Sequence, residues 1–355
     1  MNQDVRRRKL ASRLGDLGVD AFLVTRLPNV RYLTGFTGSN GQLIVTAEEA
    51  IFLTDGRYGE QSRREAPDLR RVVYTGEFVR AFTDACSDLG VERLAFESAG
   101  LTYKTYQDLS AVGRELVPTE QEVERLRWVK DREEIDRLNQ AQALADDAFD
   151  LITHKLVEGM TERDAAFELD MSLRRAGAEN VAFETIMAFG ESAAEPHHHP
   201  SDRPLQRGDI VKMDFGCVVD GYHSDMTRTF SFGDPPAQLR EVYDVVRVAQ
   251  QAGIGAVAAG VSGADADEAS RSVIRDAGYG DKFTHSLGHG VGLEIHEGPT
   301  LRAGGKDVVP EGAVVTVEPG IYLEGLGGVR IEDMVEVRSD GCRVIPRTPK
   351  ELIVL

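Results

Sequence analysis

The sequence predicts two consecutive domains of the mixed α/β (α+β) class. In about the first 120 residues, short apolar strand patterns alternate with helical ones, which is typical of a mixed sheet covered by helices. Beyond them, long amphipathic helices come in pairs, and strand-like segments follow each pair. A length of 355 residues fits two domains, and a hydrophobic content of 41% is enough to form their cores.

The first domain, residues 1–120, begins with a predicted helix over 5–17, which ends at Gly18 because glycine readily adopts the left-handed conformation there. The predicted strands lie at 21–25, 42–46, 51–54, 72–74, 94–97 and 115–117. Further helices are expected at 57–66, 78–89 and 103–112, and no regular element is predicted over 30–41. No glycine-rich loop precedes a helix, so a nucleotide site is not expected.

The second domain, residues 121–355, holds the longest predicted helix, 131–156, which follows a linking helix at 120–128. Helical spacing assigns to the core its apolar residues Ile135, Leu138, Ala141, Leu144, Ala148 and Leu151. Thr161 is the predicted N-cap of the next helix. Two more helices, 236–258 and 265–277, precede strands around His289, Glu318 and Glu332, so the domain should contain two halves of similar plan.

The composition excludes several classes of protein. A net charge of −18 disfavours nucleic acids and anionic membranes as partners. No run of 18 apolar residues is present, and the basic N-terminus lacks the apolar stretch of a secretory signal. The three cysteines, Cys86, Cys217 and Cys342, are scattered, which is typical of a reducing compartment. We therefore expect a cytoplasmic protein that binds neither membrane nor nucleic acid.

Five residues in the second domain have the side chains of metal ligands: Asp214, Asp225, His289, Glu318 and Glu332. Four carboxylates and one imidazole suit a pair of borderline divalent ions such as Mn²⁺, Co²⁺ or Zn²⁺. Arg330 precedes Glu332 by two residues and shares its strand face, so its guanidinium could hydrogen-bond a ligand carboxylate as outer support.

The first two ligands can be placed by the geometry of a hairpin. Asp220 and Gly221 predict a two-residue turn between strand-like segments 210–219 and 222–230, so the numbers of paired residues sum to 441. Asp214 then lies diagonal to Asp225, with backbones roughly 7–8 Å apart, close enough for metals about 3.5–4 Å apart. An ordinary hairpin with surface acids is the alternative, but the apolar neighbours of both carboxylates favour a buried site with partners.

In order and spacing, the segments around the five ligands resemble the pita-bread metallopeptidases, the family of methionine aminopeptidase, aminopeptidase P and prolidase. The resemblance implies a pita-bread fold for the second domain and two divalent metal ions, of which Mn²⁺ is the first expectation. Residues 32–40 and 52–58 resemble the N-terminal domain of creatinase, prolidase and aminopeptidase P, which methionine aminopeptidases generally lack. In two-domain members this domain often borders the active site of a partner subunit, which implies a homodimer.

The resemblance also implies roles for individual residues. His289 corresponds to the metal-ligating histidine, while His285 and His296 correspond to histidines that contact substrate. His197 matches a histidine that assists in proton handling or carbonyl binding, and Glu318 is expected to accept a proton as well as to bind metal. For each histidine that is not a ligand, the alternative is a structural imidazole. Two histidines have no counterpart and are interpreted as loop residues: His198 and His199.

The implied activity is hydrolysis of the Xaa-Pro bond at the N-terminus of short proline-containing peptides. Prolidases that resemble this chain commonly have an arginine directly after His-Glu-x-Pro, where this chain has Thr300. We therefore expect aminopeptidase P-like activity, with prolidase activity on dipeptides as the alternative if Arg302 takes the place of that arginine. A metal-free amidinohydrolase resembling creatinase and a non-catalytic peptide-binding protein are less favoured, since both lose ligands that are all present here.

Overall fold

The structure is a computed structural model that describes residues 3–355. It divides into two compact units, of which the first extends to Arg127 and the second comprises Trp128–Leu355. Among the described residues, no helix combines the length and the apolar character needed to cross a membrane.

The first unit contains a six-stranded mixed sheet. Its strands are β1 (Ala21–Val24), β2 (Gln42–Thr46), β3 (Ala50–Asp55), β4 (Arg70–Tyr74), β5 (Arg93–Glu97) and β6 (Glu115–Thr119). They lie in the order β4-β3-β2-β1-β5-β6, with β2 antiparallel to both of its neighbours and the remaining pairs parallel. Its helices are α1 (Gln3–Ala11), α2 (Leu14–Leu17), α3 (Leu27–Thr34), α4 (Gly59–Glu65), α5 (Phe78–Asp88), α6 (Tyr103–Ser110) and α7 (Glu122–Trp128). The predicted mixed sheet is confirmed.

Two details of this unit differ from the prediction. The first helix is divided into α1 and α2 by a short turn, although it ends as predicted at Gly18, where φ is 63°. The helix α3 is not predicted, because its β-branched and aromatic residues have low helix propensity. It forms because Val30 and Leu33 are fully buried and because Glu97 accepts hydrogen bonds from the two backbone N–H groups just before it, both at 2.7 Å.

The second unit consists of two halves, each a helix pair packed on strands. The helices are α8 (Arg132–Thr153), α9 (Glu162–Arg175), α10 (Ala237–Ala256) and α11 (Gly263–Asp276). The strands of the first half are β7 (Asn180–Val181), β8 (Ile186–Phe189), β9 (Asp209–Phe215), β10 (Cys217–Val219), β11 (Tyr222–His223) and β12 (Met226–Phe232). Those of the second half are β13 (Gly288–Gly290), β14 (Glu297–Leu301), β15 (Val314–Val317), β16 (Gly320–Leu323), β17 (Gly327–Arg330), β18 (Asp333–Arg338) and β19 (Gly341–Val344).

Each half has its own core. The pair α8 and α9 packs on a sheet of order β12-β9-β8, and a smaller sheet, β11-β10-β7, continues from it. The pair α10 and α11 packs on a sheet of order β14-β13-β15-β18-β19, beside the two-stranded ribbon β16-β17. The two halves of similar plan that the helix pairs predict are therefore confirmed.

The caps of the helices in this unit follow the sequence, but one core prediction is wrong. Asp131 and Glu134 form a reciprocal capping box at the start of α8, and Thr161 caps α9 as predicted. Leu151, predicted to lie in the core, is 54% exposed. The buried stripe of α8 passes instead through Ala141, Ala145, Ala148, Phe149 and Ile152.

The predicted hairpin register is confirmed on both sides of one interruption. Val219 pairs with Tyr222, and the pairs from Met226 with Phe215 to Phe232 with Asp209 continue the same register. Asp220 and Gly221 have positive φ values of 47° and 77°, as a tight hairpin turn of this type requires. The ladder is interrupted at Gly216, where a Cβ atom would lie 1.8 Å from the Ser224 carbonyl oxygen. This interruption separates the sheet of β9 and β12 from that of β10 and β11.

The cysteines should differ in reactivity. Burial raises the pKa of Cys86 to about 12 and that of Cys217 to about 11. It also raises the pKa of Cys342, but this side chain is only half-buried and is therefore the most accessible of the three. Because the thiolate is the reacting form, a raised pKa leaves under about 1 in 100 of either buried thiol ionised at about pH 8. We expect a disulfide reagent at this pH to modify Cys342 first, and Cys86 and Cys217 only after unfolding. Cys342→Ser should remove the early phase, and fast modification of Cys86 in the folded protein would contradict the prediction.

Candidate active site

All nine residues predicted for the site line one cavity of the second unit, with a volume of about 440 Å³. They are His197, Asp214, Asp225, His285, His289, His296, Glu318, Arg330 and Glu332. Apolar side chains of Phe183, Ile186 and Ile295 line the same cavity. Convergent charged groups between apolar walls are typical of a site for a small ligand.

Each expected metal ligand lies at an end or an interruption of a strand, or in a very short one. Asp214 is the penultimate residue of β9, and Asp225 directly precedes β12 on the other side of the ladder interruption. His289 is the middle residue of the three-residue β13. Glu318 directly follows β15, and Glu332 lies between β17 and β18. The chain changes direction at these points, so side chains from separate strands can converge.

His289 presents its Nε2 atom to the carboxylates. Its Nδ1 donates to the carbonyl oxygen of Gly290 at 3.1 Å, which leaves Nε2 as the atom free to bind a ligand. Nε2 lies 3.5 Å from Asp225 Oδ2 and 3.4 Å from Glu318 Oε1. Asp225, His289 and Glu332 each offer an atom within 4.8 Å of the other two, a spacing that fits a shared ion.

The two oxygens of Asp214 have different surroundings. Oδ2 accepts a hydrogen bond from Arg330 Nη2 at 2.5 Å. Oδ1 is buried and has no hydrogen-bond partner within residues 3–355. A buried carboxylate oxygen without a donor is unfavourable, so this atom is a position that a bound cation would satisfy.

The carboxylates of the site repel one another. Burial and the charges of Glu332 and Asp214 raise the pKa of Asp225 well above its usual range. Burial and the charges of Glu318 and Asp214 raise the pKa of Glu332 in the same way. Burial also acts to raise the pKa of Glu318, but the hydrogen bond and charge of His289 outweigh it and hold that pKa at about 2. The cluster therefore has more negative charge than its own cations offset.

Two threonines orient ligand carboxylates. Thr227 Oγ1 donates to Glu332 Oε2 at 2.7 Å, and Thr316 Oγ1 donates to Glu318 Oε1 at 3.2 Å. Sequence reasoning missed these roles. Thr316 could have been found from strand alternation, because it is two residues from Glu318, whereas Thr227 meets Glu332 only through the tertiary fold.

A chain of hydrogen bonds links Arg330 to His285 through Tyr322, a residue that sequence reasoning also missed. Arg330 Nη1 donates to the Tyr322 hydroxyl at 2.9 Å, and that hydroxyl donates to His285 Nε2 at 2.8 Å. His285 Nδ1 donates to the Ser286 carbonyl oxygen at 2.8 Å. Burial lowers the pKa of His285, consistent with a neutral ring that accepts at Nε2. Tyr322 pairs with Gly328 across β16 and β17, a position that leaves room for its ring.

The remaining histidines of the cavity differ in how they are held. Within the described part of the chain, neither His197 nor His296 has a hydrogen-bond partner for its ring. His296 packs edge-on against His289 with ring centroids 4.4 Å apart, and burial and His289 lower the pKa of His296. His198, interpreted from the sequence as a loop residue, hydrogen-bonds through Nε2 to the buried Glu162 Oε2 at 2.8 Å. His198 therefore fixes the loop to the start of α9.

Thr300 and Arg302 also line the cavity. The backbone N–H and the hydroxyl of Thr300 both donate to Asp307 Oδ2 at 2.9 Å, so this side chain is already committed. Arg302 is exposed and lines the cavity, and no described residue pairs with its guanidinium. Arg302 is therefore a cation available to a ligand.

The donor set fits divalent metal ions. The unpartnered Asp214 Oδ1, the repulsion among the carboxylates and the position of His289 Nε2 between two of them all favour bound cations at this point. Carboxylates with a single imidazole suit Mn²⁺, Co²⁺ or Zn²⁺. The residues that would hold the ions are Asp214, Asp225, His289, Glu318 and Glu332.

Comparison with known protein families also indicates a metal-dependent enzyme. Residues 136–339 match metallopeptidase family M24, and residues 6–129 match the creatinase/prolidase N-terminal domain. The first match covers more than half of the chain. The chain belongs to metallopeptidase family M24. This membership confirms the predicted pita-bread fold, and an M24 enzyme uses divalent metal ions of the kind that the donor set fits.

Individual proteins are similar over nearly the whole M24 chain. An uncharacterized peptidase of Bacillus subtilis is 43% identical over 349 residues, which cover 98% of this chain and 99% of that protein. The solved structure of a Xaa-Pro dipeptidase from Bacillus anthracis matches with a TM-score of 0.97 and 39% identity, covering 100% of both chains. That of an X-Pro aminopeptidase from Thermotoga maritima matches with a TM-score of 0.90 and 36% identity, covering 97% of this chain and 100% of that one.

Metal binding at this M24 site should release protons. Because burial and mutual repulsion raise the pKa values of Asp225 and Glu332, each carboxyl binds its proton more tightly than usual and must release it to bind a cation. We expect calorimetric titration of the metal-free protein with Mn²⁺ at about pH 6 to give heats that depend on the ionisation enthalpy of the buffer, and the affinity to fall at lower pH. Asp225→Asn should release fewer protons, and equal heats in all buffers would contradict the prediction.

Proposed function

We propose that this protein is a metal-dependent exopeptidase that hydrolyses the Xaa-Pro bond at the N-terminus of short proline-containing peptides. The observation that carries the proposal is the largely buried set of four carboxylates and one imidazole around a cavity of about 440 Å³. The names of the two similar solved structures, a Xaa-Pro dipeptidase and an X-Pro aminopeptidase, support this substrate class.

Divalent metal ions, when bound, would supply Lewis-acid activation of a water molecule and of the scissile carbonyl group. We propose two ions, held by the five ligands Asp214, Asp225, His289, Glu318 and Glu332. Mn²⁺ is the ion we propose first, with Co²⁺ and Zn²⁺ as alternatives that the same donors accept.

Three side chains are available for the chemistry itself. Glu318 lines the cavity beside His289, and we propose that its carboxylate accepts a proton during attack on the carbonyl. The rings of His197 and His296 have no hydrogen bonds to any residue of 3–355, so they can bind the carbonyl oxygen as negative charge develops there. The leaving nitrogen of an Xaa-Pro bond carries no N–H, so the site needs no acceptor for one.

His285 differs from these two histidines. Its ring nitrogens bond to Ser286 and Tyr322, so we assign it to holding the Tyr322 hydroxyl in place rather than to direct contact with substrate. The Tyr322 hydroxyl also accepts from Arg330, which in turn holds Asp214. The chain from His285 to Asp214 would thus keep one metal ligand in a fixed orientation.

The length of the substrate has two candidate answers. Aminopeptidase P-like activity on longer peptides is supported by Thr300, which stands where an arginine would bind a free carboxylate. Thr300 is uncharged, and its N–H and hydroxyl groups both donate to Asp307. Prolidase activity on dipeptides is supported by Arg302, which lines the cavity and could hold a free carboxylate. We propose the aminopeptidase first, and Arg302 is the residue on which the alternative depends.

The assembly and location of the protein are part of the same proposal. The match of residues 6–129 to the creatinase/prolidase N-terminal domain supports a homodimer, the state that the resemblance implies. The free cysteines Cys86, Cys217 and Cys342 support a reducing, cytoplasmic location.

Asp225→Asn should abolish turnover without unfolding the protein. The amide cannot supply the negative ligand, so we expect kcat/KM on Xaa-Pro peptides to fall by at least about 100-fold. Because burial and neighbouring charges disfavour the ionised form of Asp225, a neutral isostere should leave the metal-free protein at least as stable in thermal unfolding. Asp220→Asn, at the exposed turn of the same hairpin, is the control and should keep full activity. Normal turnover by Asp225→Asn would refute the assignment.

A side-by-side assay of Xaa-Pro and Xaa-Pro-Yaa on the Mn²⁺-loaded protein separates the two candidates. We expect the tripeptide to have the higher kcat/KM and Arg302→Ala to leave both substrates within about twofold of wild type, because no free carboxylate needs a clamp. Lys306→Ala, in the same loop but outside the cavity lining, is the charge-matched control. If the dipeptide is preferred and Arg302→Ala alone raises its KM, the protein is a prolidase that uses Arg302.

A further inference from the structure

The ring of His197 is not held in place by its own contacts. It lines the cavity but has no hydrogen-bond partner within the described residues, and the residue is exposed on the cavity side. Its position in the cavity must therefore come from the backbone of the loop that carries it. The loop follows the short 3-10 helix Gly190–Ala194 and is fixed on its far side by the hydrogen bond between His198 and Glu162.

On its near side the loop is held by Lys212, a fully buried lysine in the middle of β9. Lys212 Nζ donates to the carbonyl oxygens of Ala193 at 3.1 Å and of Pro196 at 3.5 Å, and it also donates to that of Glu195. These carbonyl groups belong to three of the four residues that directly precede His197. No carboxylate among the described residues forms an ion pair with Lys212.

The carbonyl group of Pro196 also connects the loop to the metal ligands. Arg330 Nη1 donates to the Pro196 carbonyl oxygen at 3.1 Å, while Arg330 Nη2 donates to Asp214. Lys212 is two residues before Asp214, so both side chains leave β9 on the same face. The loop is thus bound to the strand that carries Asp214 and to the arginine that orients Asp214.

Burial of a lysine without a carboxylate partner is unfavourable, so filling space in the core does not explain the residue at this position. An apolar side chain of similar length would avoid the desolvation of the amino group. Burial and the charge of Arg330 lower the pKa of Lys212. The ammonium carries three N–H donors and the neutral amine two, so Lys212 donates hydrogen bonds to the loop in either form. What the lysine supplies, and an apolar residue cannot, is a set of N–H donors for three backbone carbonyl groups within residues 193–196.

We infer that Lys212 is a positioning residue for His197, which it acts on through the backbone of residues 193–196. The inference rests on the proposed function, in which His197 contacts the reacting carbonyl group. Lys212 itself does not line the cavity and has no contact with substrate in this assignment. Because a shift of about 1 Å in a catalytic group can reduce turnover by roughly 100-fold, anchoring of this loop has a direct effect on rate.

The first test compares Lys212→Met, which keeps the length of the side chain but removes its donors, with Val211→Ala. Val211 directly precedes Lys212 in β9 and points to the core on the opposite face. Its substitution by alanine removes packing but no contact with the loop. We expect hydrogen exchange in residues 190–199 to be faster in the metal-free Lys212→Met protein and unchanged in Val211→Ala. Exchange at the wild-type rate in Lys212→Met would overturn the inference. If Lys212→Met does not fold, Lys212→Leu, which also lacks donors, is measured in its place with the same criterion.

The second test is a double-mutant cycle with His197→Ala on Xaa-Pro substrates. Lys212→Met should lower kcat by roughly 10- to 100-fold in the wild-type background, with KM changed far less. In the His197→Ala background the same change should cost less than about twofold, because the residue that it positions is gone. An equal loss in both backgrounds would show a structural role only and would overturn the inference.

The two tests separate failure of the inference from failure of the proposed function. Hydrogen exchange needs no substrate, so it decides whether Lys212 anchors the loop even if wild-type protein cleaves neither Xaa-Pro nor Xaa-Pro-Yaa. Partial recovery of kcat by Lys212→Arg, which restores cationic donors, would add support that a loss of packing cannot explain. A Lys212→Arg protein that folds and shows wild-type exchange at residues 190–199, and yet turns over no faster than Lys212→Met, would count against the inference.

Discussion

The burial of several carboxylates in one cavity is the constraint on which the rest of the second unit depends. Asp214, Asp225 and Glu332 are each less than 10% exposed, and the nearest fixed cation is Arg330. Burying like charges together is unfavourable unless hydrogen bonds and cations offset them. The site meets this need with donors from threonine and arginine side chains and with a donor set that is suited to divalent ions.

A second buried network stands behind the first and holds the chain at Glu332. Arg228 donates to the carbonyl oxygen of Glu332 and to the carboxylate of Asp333, and Gln250 and Lys350 also donate to Asp333. Burial acts to raise the pKa of Asp333, but the charges of Arg228 and Lys350 outweigh it and lower the value. The negative charge of Asp333 is thus offset by two side-chain cations, whereas the carboxylate of its neighbour Glu332 is available to bind a metal ion. The difference lies in which cations the fold places beside each carboxylate.

The sequence predicts the parts of the site that depend on local rules. The turn at Asp220 and Gly221 determines the hairpin register, and the register places Asp214 near Asp225. The roles of Tyr322 and Lys212 were not predicted, because each depends on a partner more than ten residues away in the chain. The same holds for α3, whose formation follows from tertiary burial rather than from its own propensity.

The ligand set also explains why the two halves of the second unit act as one structure. Asp214 and Asp225 come from the first half, whereas His289, Glu318 and Glu332 come from the second. The hydrogen bonds that orient the ligands, from Arg330 to Asp214 and from Thr227 to Glu332, cross between the same two halves. Ions bound by ligands from both halves would therefore stabilise their packing as well as catalyse a reaction, since ligand binding favours the state that contains the complete site. The same set of metal ligands would thus contribute both to catalysis and to the packing of the two halves.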